Sequence, residues 1–392
     1  MQTETNAGPH PIGIRRRAVL AAISVVIGPG ALLLVADVVL RFFPVNSGLG
    51  TLPVNDVNPV MRFAPNREFT YSDGWNFAIV NHGRTNNYGF VNNQDYDSTA
   101  RTPLLSVVGD SYVEALMVHY EETLQGRLAR LVGRRGRVYS FGMSGSALSQ
   151  YLAEVDFARA RFRPSGLVVV IVANDFDESL LRYKAGPGLH YFREDSAGLR
   201  LARMDYAPSL LRRAARHSAI ASYLIRNLGL SGLSAGLRAR LKNPAERPLE
   251  FVGNTVAAAD SQRMADSRRV VDAFLDELPS RSGLDPSRVA LLVDGMRPNL
   301  YSEAGLKASA GSYFDLMRRY LLATAASRGF EVVDMQPRFI ERHQRDGSRF
   351  EFPTNGHWNA IGHEEAADAV AKSPVFQKTF GLLDPSTRRR GN

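Results

Sequence analysis

From about residue 103 onward, short apolar runs alternate along the chain with longer amphipathic segments. Five of the apolar runs have the length of a strand, and they occupy residues 104–108, 137–141, 167–172, 289–293 and 330–333. The third run is continuously aliphatic, which suits a strand buried on both faces. The segment that follows the first run, about 112–132, places its leucines at helical spacing. This alternation predicts a parallel sheet covered by helices.

We assign this α/β region to residues 103–380. The segments that precede and follow it, and a long insertion within it, differ from it in composition or in their predicted elements. Residues 41–102 are rich in Asn, Gly and Pro and predict a loop-rich connector with a few short strands. A long insertion, about 177–286, separates the third and fourth strands. It contains a predicted hairpin around 191–201 and predicted helices through 210–228 and 267–278. Residues 381–392 form a basic tail.

The N-terminal region carries an uncharged stretch over residues 18–36, preceded by Arg15, Arg16 and Arg17 and followed by Arg41. As a helix this stretch covers about 28 Å, close to the thickness of a bilayer core. The charge asymmetry predicts a transmembrane anchor over 18–40, with residues 1–17 in the cytoplasm and the rest of the chain outside it, at the inner membrane. A cleaved signal peptide and a twin-arginine signal are alternatives, and both export the same domain.

Charge and composition exclude several classes of function. The net charge of +9 comes mostly from arginine, but no basic stripe with interleaved aromatic residues is present, so we expect no nucleic-acid partner. The chain has no cysteine, which excludes disulfides, thiolate zinc sites and cysteine nucleophiles.

A candidate nucleophile stands where the first predicted strand passes into a helix, in Gly109-Asp110-Ser111. The end of a strand holds the backbone of such a serine, and the start of a helix supplies amide donors and positive potential. Asp and Ser are also common helix caps, so the triplet taken alone fits a purely structural role as well.

Three further candidates follow other predicted strands. Gly145 follows the second strand, Asn174 the third and His357 the fifth. A glycine amide and an asparagine side chain are neutral donors suited to an oxyanion, although a turn and a helix cap explain them equally when each is taken alone. Because the carboxyl ends of parallel strands meet at one edge of the sheet, we expect all of these groups to lie close together.

In this order, Gly109-Asp110-Ser111, Gly145, Asn174-Asp175 and His357 resemble the four sequence blocks of the SGNH (GDSL-like) hydrolases, over residues 103–372. The resemblance implies a flavodoxin-like three-layer α/β/α fold with a five-stranded parallel sheet, and a site without cofactor or metal. It also implies Ser111 as nucleophile and His357 as base, with an oxyanion hole formed by the amides of Ser111 and Gly145 and the side chain of Asn174. The run 357–363 is most similar to a branch that includes membrane-anchored or periplasmic polysaccharide O-acetylesterases and O-acetyltransferases. Its second histidine, His363, is interpreted as structural.

The sequence departs from the family pattern at the acid that normally precedes the histidine by two or three residues. Asn355 and Thr354 occupy those positions. In a serine protease triad, the change from Asp to Asn costs roughly 10⁴ in turnover, largely through the wrong imidazole tautomer. Asn355, Asp334 and Glu351 are candidates for orienting His357. A backbone carbonyl that orients the ring, or a weak enzyme, are the alternatives.

The sequence therefore predicts a serine-dependent ester hydrolase or O-acyltransferase outside the cytoplasm. The expected substrate is an acylated carbohydrate or a lipid ester, such as a cell-envelope glycan or a lipid-linked saccharide. A binding or scaffold protein that kept the fold and lost the acid is the main alternative. A metal hydrolase is a weaker one, because His357 and His363 lack a helical His-Glu-x-x-His pattern and would need Asp110 or Asp175 to complete a site.

Overall fold

The structure is a computed structural model that describes residues 14–196, 198–210, 216–230, 250–251 and 255–382; the side chains of 14–26, 250–251 and 255–256 lie outside the description. In chain order, the described strands are β1 Glu68–Asp73, β2 Ile79–Arg84, β3 Leu104–Gly109, β4 Arg137–Gly142, β5 Gly166–Ile171, β6 His190–Asp195, β7 Gly198–Arg203, β8 Glu250–Phe251, β9 Thr255–Val256, β10 Val289–Val293, β11 Glu331–Asp334, β12 Glu351–Phe352 and β13 Asn355–Trp358. The described α-helices are α1 Ile14–Leu40, α2 Ser111–Glu114, α3 Leu124–Val132, α4 Leu148–Phe162, α5 Ala219–Ser222, α6 Ser261–Ser282, α7 Glu303–Ser309, α8 Tyr313–Ser327, α9 Met335–Asp346, α10 Ala360–Ala371 and α11 Pro374–Phe380.

The central sheet has five strands in the order β11-β10-β5-β3-β4, and each neighbouring pair is parallel. Numbered along the chain, this is the 2-1-3-4-5 order of flavodoxin-like folds. Each of the five strands predicted from the apolar runs is present, with its ends within one residue of the prediction. The fold class implied by the SGNH resemblance is therefore confirmed.

Both faces of the sheet are buried at its centre because β5 and β10 are apolar at consecutive positions. In β5, Val169 faces a core cluster built with α4, α6 and α8, whereas its neighbours Val168 and Val170 face a second cluster built with α3, α9, α10 and α11. All six residues of β5 are buried. Alternating side chains thus fill two separate helix layers, which is the three-layer arrangement.

Polar caps set the starts of several helices near the edge of the sheet. The Thr123 hydroxyl accepts a hydrogen bond from the Gly126 amide at the start of α3. The Asn359 side chain accepts from the amides of Ile361 and Gly362 at the start of α10. Since the side-chain oxygen of a cap satisfies amides that have no partner inside the helix, these residues determine where each helix begins.

The insertion and the preceding segment both pack against the sheet domain. β6 and β7 form an antiparallel hairpin where one is predicted around 191–201, and α6 covers the predicted helix over 267–278. The predicted helix through 210–228 is represented by the short α5 and a π-turn over Tyr223–Asn227, while 211–215 lie outside the described residues. Within the segment 41–102, β1 and β2 form an antiparallel hairpin, and Phe90 and Tyr96 join the core beside α4.

The N-terminal helix α1 does not establish the predicted membrane anchor. In the part of the chain that the structure describes, no helix is both long and apolar enough to cross a membrane. The side chains of 18–26, on which the prediction over 18–40 depends, lie outside that part, as do residues 1–13 and most of the predicted tail, 383–392. At its C-terminal end, α1 contacts the insertion through Asp37, whose carboxylate accepts from the Ser218 hydroxyl at 2.8 Å and from the Ile220 amide at 3.0 Å.

Candidate active site

Ser111 lies at the junction of β3 and the short helix α2. Asp110 caps this helix, and its Oδ1 accepts from the Tyr112 amide at 2.9 Å, while Ala115 ends it with a left-handed backbone, φ 48°. The Ser111 hydroxyl is 3.2 Å from Asp110 Oδ2. The cap and the nucleophile position predicted as alternatives from the triplet are therefore filled by two adjacent residues, Asp110 and Ser111.

His357 contacts Ser111 directly. It lies on β13, which pairs antiparallel with β12 beyond the carboxyl edge of the sheet. Its Nε2 is 2.8 Å from Ser111 Oγ, although the two residues are 246 positions apart in the chain. Its ring also lies against Tyr112, with 5.0 Å between ring centroids. This distance and this pairing are those of a serine and its general base.

Asn355 holds the other ring nitrogen of His357. Its Oδ1 is 2.5 Å from His357 Nδ1 and also accepts from the His357 backbone amide at 3.1 Å. A carbonyl oxygen only accepts, so Nδ1 carries the proton and the lone pair of Nε2 faces the serine hydroxyl. The other two candidates for orienting the ring lie elsewhere: Asp334 pairs with Arg318 at 2.5 Å, and Glu351 contacts Tyr301 and Arg297.

Behind Asn355 stands Asp73, at the end of β1. Asn355 Nδ2 donates to Asp73 Oδ2 at 3.0 Å and lies 3.4 Å from the Tyr71 hydroxyl. Asp73 is not among the residues predicted from the sequence, because it belongs to the segment interpreted as a connector and stands 282 positions from Asn355. No local motif surrounds it that would have indicated a site.

The two candidate oxyanion donors lie at the carboxyl edges of β4 and β5. Gly145 has φ +86°, a conformation that L side chains rarely adopt, which explains the glycine. Asn174 Nδ2 donates to Glu178 Oε2 at 3.1 Å. A side-chain amide has a second hydrogen to donate, so this bond leaves one donor for a ligand. Asn174 Oδ1 is buried and has no hydrogen-bond partner among the described residues.

Lys184 from the insertion joins these two donors. Its Nζ donates to the Gly145 carbonyl at 3.0 Å and pairs with the Glu178 carboxylate, which in turn holds Asn174. The sequence predicts an insertion over about 177–286 but does not single out this lysine. A single lysine in a polar loop carries no pattern that distinguishes it from a surface residue.

A buried arginine holds the backbone of residues 355–358, here called the histidine loop. Arg297 is fully buried and donates to Asp294 Oδ2 at 2.6 Å, to the Gly356 carbonyl at 3.1 Å and to the Tyr112 hydroxyl at 3.0 Å. The Trp358 indole donates to the same Asp294 carboxylate at 2.9 Å. This network fixes the loop on the side that faces the core.

Burial and neighbouring charges shift two pKa values in the site. Burial, assisted by Arg297, lowers the pKa of the His357 imidazole to about 4, while Asp73 and Asp294 act in the opposite direction. Burial also raises the pKa of the Asp110 carboxyl to about 6, against the hydrogen bond that it accepts from the Tyr112 amide. At neutral pH the imidazole is therefore neutral, which is the state that accepts a proton.

His363 contacts a different part of the fold. Its Nδ1 accepts from the Leu124 amide at 3.1 Å, and burial lowers the pKa of its imidazole to about 3. A neutral ring that accepts an amide proton from α3 is a structural arrangement. Within the described ranges, no group of three or more His, Asp or Glu residues is placed to hold a metal ion.

No family model and no curated protein matches the chain. Among solved structures, the chain is similar to a two-domain esterase active on acetylated mannans, co-crystallised with mannopentaose (10% identity, TM-score 0.36, 73% of this chain), and it spans about half, 51%, of the length of that protein. It is also similar to the lipase/acylhydrolase from Enterococcus faecalis (11% identity, TM-score 0.38, 72% of this chain and 98% of that chain). A third is a member of the lipolytic G-D-S-L family from Veillonella parvula (10% identity, TM-score 0.32, 69% and 97%). At these identities and TM-scores the likeness does not assign an activity.

Proposed function

We propose that the chain is a serine-dependent ester hydrolase or O-acyltransferase of the SGNH type. The observation that carries this proposal is the contact between Ser111 Oγ and His357 Nε2 at 2.8 Å, with the opposite ring nitrogen held by Asn355 at 2.5 Å. A serine hydroxyl becomes an effective nucleophile when a neutral base accepts its proton, and this geometry supplies such a base.

The reaction proceeds in two steps. His357 Nε2 takes the hydroxyl proton as Ser111 Oγ attacks the ester carbonyl, and the amides of Ser111 and Gly145 with the Asn174 side chain stabilise the oxyanion. The protonated His357 then gives its proton to the departing alkoxide, which leaves an acyl-serine. In the second step, water or a sugar hydroxyl gives a proton to His357 and attacks the acyl group; the bond from the acyl carbon to Ser111 Oγ breaks, and His357 returns the proton to Ser111 Oγ, which regenerates both residues.

The asparagine at position 355 is compatible with this chemistry. The roughly 10⁴-fold loss from Asp to Asn in a serine protease triad arises because the imidazole adopts the wrong tautomer, and papain-like enzymes function with an asparagine as the third member. Here Oδ1, not Nδ2, faces His357 Nδ1, because Nδ2 donates to Asp73. The tautomer needed for general-base catalysis is thereby favoured without an acid at position 355.

We further propose an acylated carbohydrate or lipid ester of the cell envelope as substrate, with the site on the extracytoplasmic side of the inner membrane. Support comes from the uncharged stretch 18–36 behind three arginines. The second half of α1 also exposes apolar side chains such as Leu32 and Leu34. A cell-fractionation experiment on the tagged full chain tests this location, and recovery of the protein in the cytoplasmic fraction would overturn it.

A binding or scaffold protein is the second candidate, and the absence of an acid at position 355 favours it. The two candidates are separated by labelling the full-length protein with a fluorophosphonate probe and by measuring hydrolysis of p-nitrophenyl acetate. We expect labelling and turnover in the unmodified chain and neither in Ser111→Ala. Ser327→Ala, an exposed serine at the end of α8, is the matched control and should behave as the unmodified chain. A well-folded protein that shows neither labelling nor turnover would favour the scaffold.

A further inference from the structure

We propose that Asp73 is a positioning residue of the active site, which sets the amide orientation of Asn355 and thereby the proton on His357. The inference rests on the proposed ester chemistry and adds a residue outside the four SGNH blocks. It makes the β1–β2 hairpin part of the catalytic apparatus, although its sequence predicts a connector.

The Asn355 side chain could face His357 with either end of its amide. An amide has one accepting and one donating end, and the two ends differ little in shape, so its neighbours decide which way it faces. An ionised carboxylate only accepts, so Asp73 Oδ2 at 3.0 Å selects the Nδ2 end of Asn355, while the His357 backbone amide donates to the Oδ1 end at 3.1 Å and favours the same orientation. The Oδ1 end then faces His357 Nδ1. The reversed amide would set its oxygen against a carboxylate and its NH₂ group against the ring N–H.

The Asp73 carboxylate itself is held in place. Asp73 Oδ1 accepts from the Gly74 amide at 2.9 Å, and Asp73 pairs with Ile79 across the hairpin. The hairpin is in turn bound to the segment that follows α2. Asn81, which is buried, donates from Nδ2 to the carbonyls of Leu116 at 2.8 Å and Val118 at 2.9 Å. A group held in this way can orient its neighbour, as the support of an active-site residue requires.

The charge of Asp73 also acts on His357. Asp73 acts against burial and Arg297 and raises the pKa of His357, so its charge favours the imidazolium that forms when Ser111 loses its proton. The chain of contacts runs Ser111, His357, Asn355, Asp73, with a neutral amide between the ring and the charge. The charge therefore stands one residue farther from the ring than in a Ser-His-Asp triad.

The test moves the carboxylate from position 73 to position 355. Asp73→Asn removes the charge and the obligatory acceptor, and we expect kcat/KM for p-nitrophenyl acetate to fall by about 10²- to 10⁴-fold, up to the size of the tautomer effect. The double variant Asp73→Asn with Asn355→Asp places a carboxylate directly on His357 Nδ1, and we expect it to recover to within about tenfold of the unmodified chain. Asp95→Asn, an acid of the same segment whose side chain is 57% exposed, is the matched control.

The outcomes separate this inference from the proposed function. If the unmodified chain is active and Asp73→Asn equals it, or if the double variant is no more active than Asp73→Asn alone, the role of Asp73 is overturned while the ester chemistry stands. If the unmodified chain shows no Ser111-dependent labelling, both proposals fall. A loss of hairpin folding would lower activity in Asp73→Asn but would not be rescued by a change at position 355, so recovery in the double variant identifies positioning.

Discussion

Two sets of contacts hold the histidine loop, one on the side of the core and one on the side of the β1–β2 hairpin. They differ in how deeply they are buried and in which part of the loop they hold. On the core side, Arg297 and Asp294 are 0% and 2% exposed, and the arginine holds the Gly356 backbone carbonyl. On the hairpin side, Asn355 and Asp73 are only half-buried, and their contact determines how a side chain is turned. The position of the loop backbone therefore depends on the core, and the orientation of the Asn355 amide depends on the hairpin.

This difference separates stability from catalysis. When one partner of a buried ion pair is removed, the other charge is left uncompensated. A substitution on the core side is therefore expected to lower the free energy of unfolding. A half-buried hydrogen bond contributes little to folding, but it selects between two amide orientations of nearly equal shape. A substitution on the hairpin side, such as Asp73→Asn, is therefore expected to lower kcat/KM while the free energy of unfolding stays nearly unchanged.

The largest effect on stability is expected from Arg297→Leu. This change leaves the Asp294 carboxylate buried without its ion-pair partner, and we expect the free energy of unfolding to fall by about 3–5 kcal/mol, measured by denaturant titration. Arg345→Ala is the matched control, because that arginine is 62% exposed and 3.6 Å from Asp346. Its change should remain within about 1 kcal/mol. Equal losses in the two variants would show that the buried Arg297–Asp294 pair matters no more to stability than an exposed one.

A smaller effect is expected from Tyr112→Phe, which trims the core side without leaving a charge unpaired. The lost hydroxyl donates to the Gly356 carbonyl at 3.1 Å and accepts from Arg297 at 3.0 Å, yet both partners keep other bonds. We expect a loss of about 1 kcal/mol in unfolding free energy, by the same titration. A loss as large as that of Arg297→Leu would show that the hydroxyl, rather than the ion pair, holds the loop.

The smallest expected effect is a shift in the pH profile. The pKa of His357 is lowered from 6.5 to about 4, so the imidazole is neutral above that pH, and kcat/KM should fall only as the pH drops through about 4. Three charged groups act on the ring: Arg297 lowers the pKa, and Asp73 and Asp294 raise it. In Asp73→Asn, the acid limb of the profile should move to lower pH because one of the raising charges is gone. An acid limb near pH 6.5 in the unmodified chain would contradict the burial of the base.

Part of this molecule could be predicted from local patterns. Each of the five apolar runs became a strand of the parallel sheet, because a run that is aliphatic at consecutive positions can be satisfied only where both faces are covered. Ser111 and His357 could be placed at one edge for the same reason, since parallel strands bring their carboxyl ends together. The structure puts them 2.8 Å apart.

The support of the base could not be predicted in this way. Asp334 and Glu351 were reasonable candidates by their distance along the chain, but each is bound to other partners. Asp73, Lys184 and Arg297 reach the site from segments without a recognisable motif. Hydrogen bonds between distant segments depend on the final packing of the chain, and no periodicity in the sequence records them.

The amino-acid sequence by itself determined the strands of the sheet, their shared edge and the residue types available there for acyl transfer, because burial and backbone geometry act on local patterns. Only the tertiary structure decided that Asn355 faces His357 with its oxygen. The His357 backbone amide, two residues along the chain, favours this orientation locally, but the donating end of Asn355 is bound by a carboxylate 282 residues away, and the preference of an amide is set by its neighbours in space.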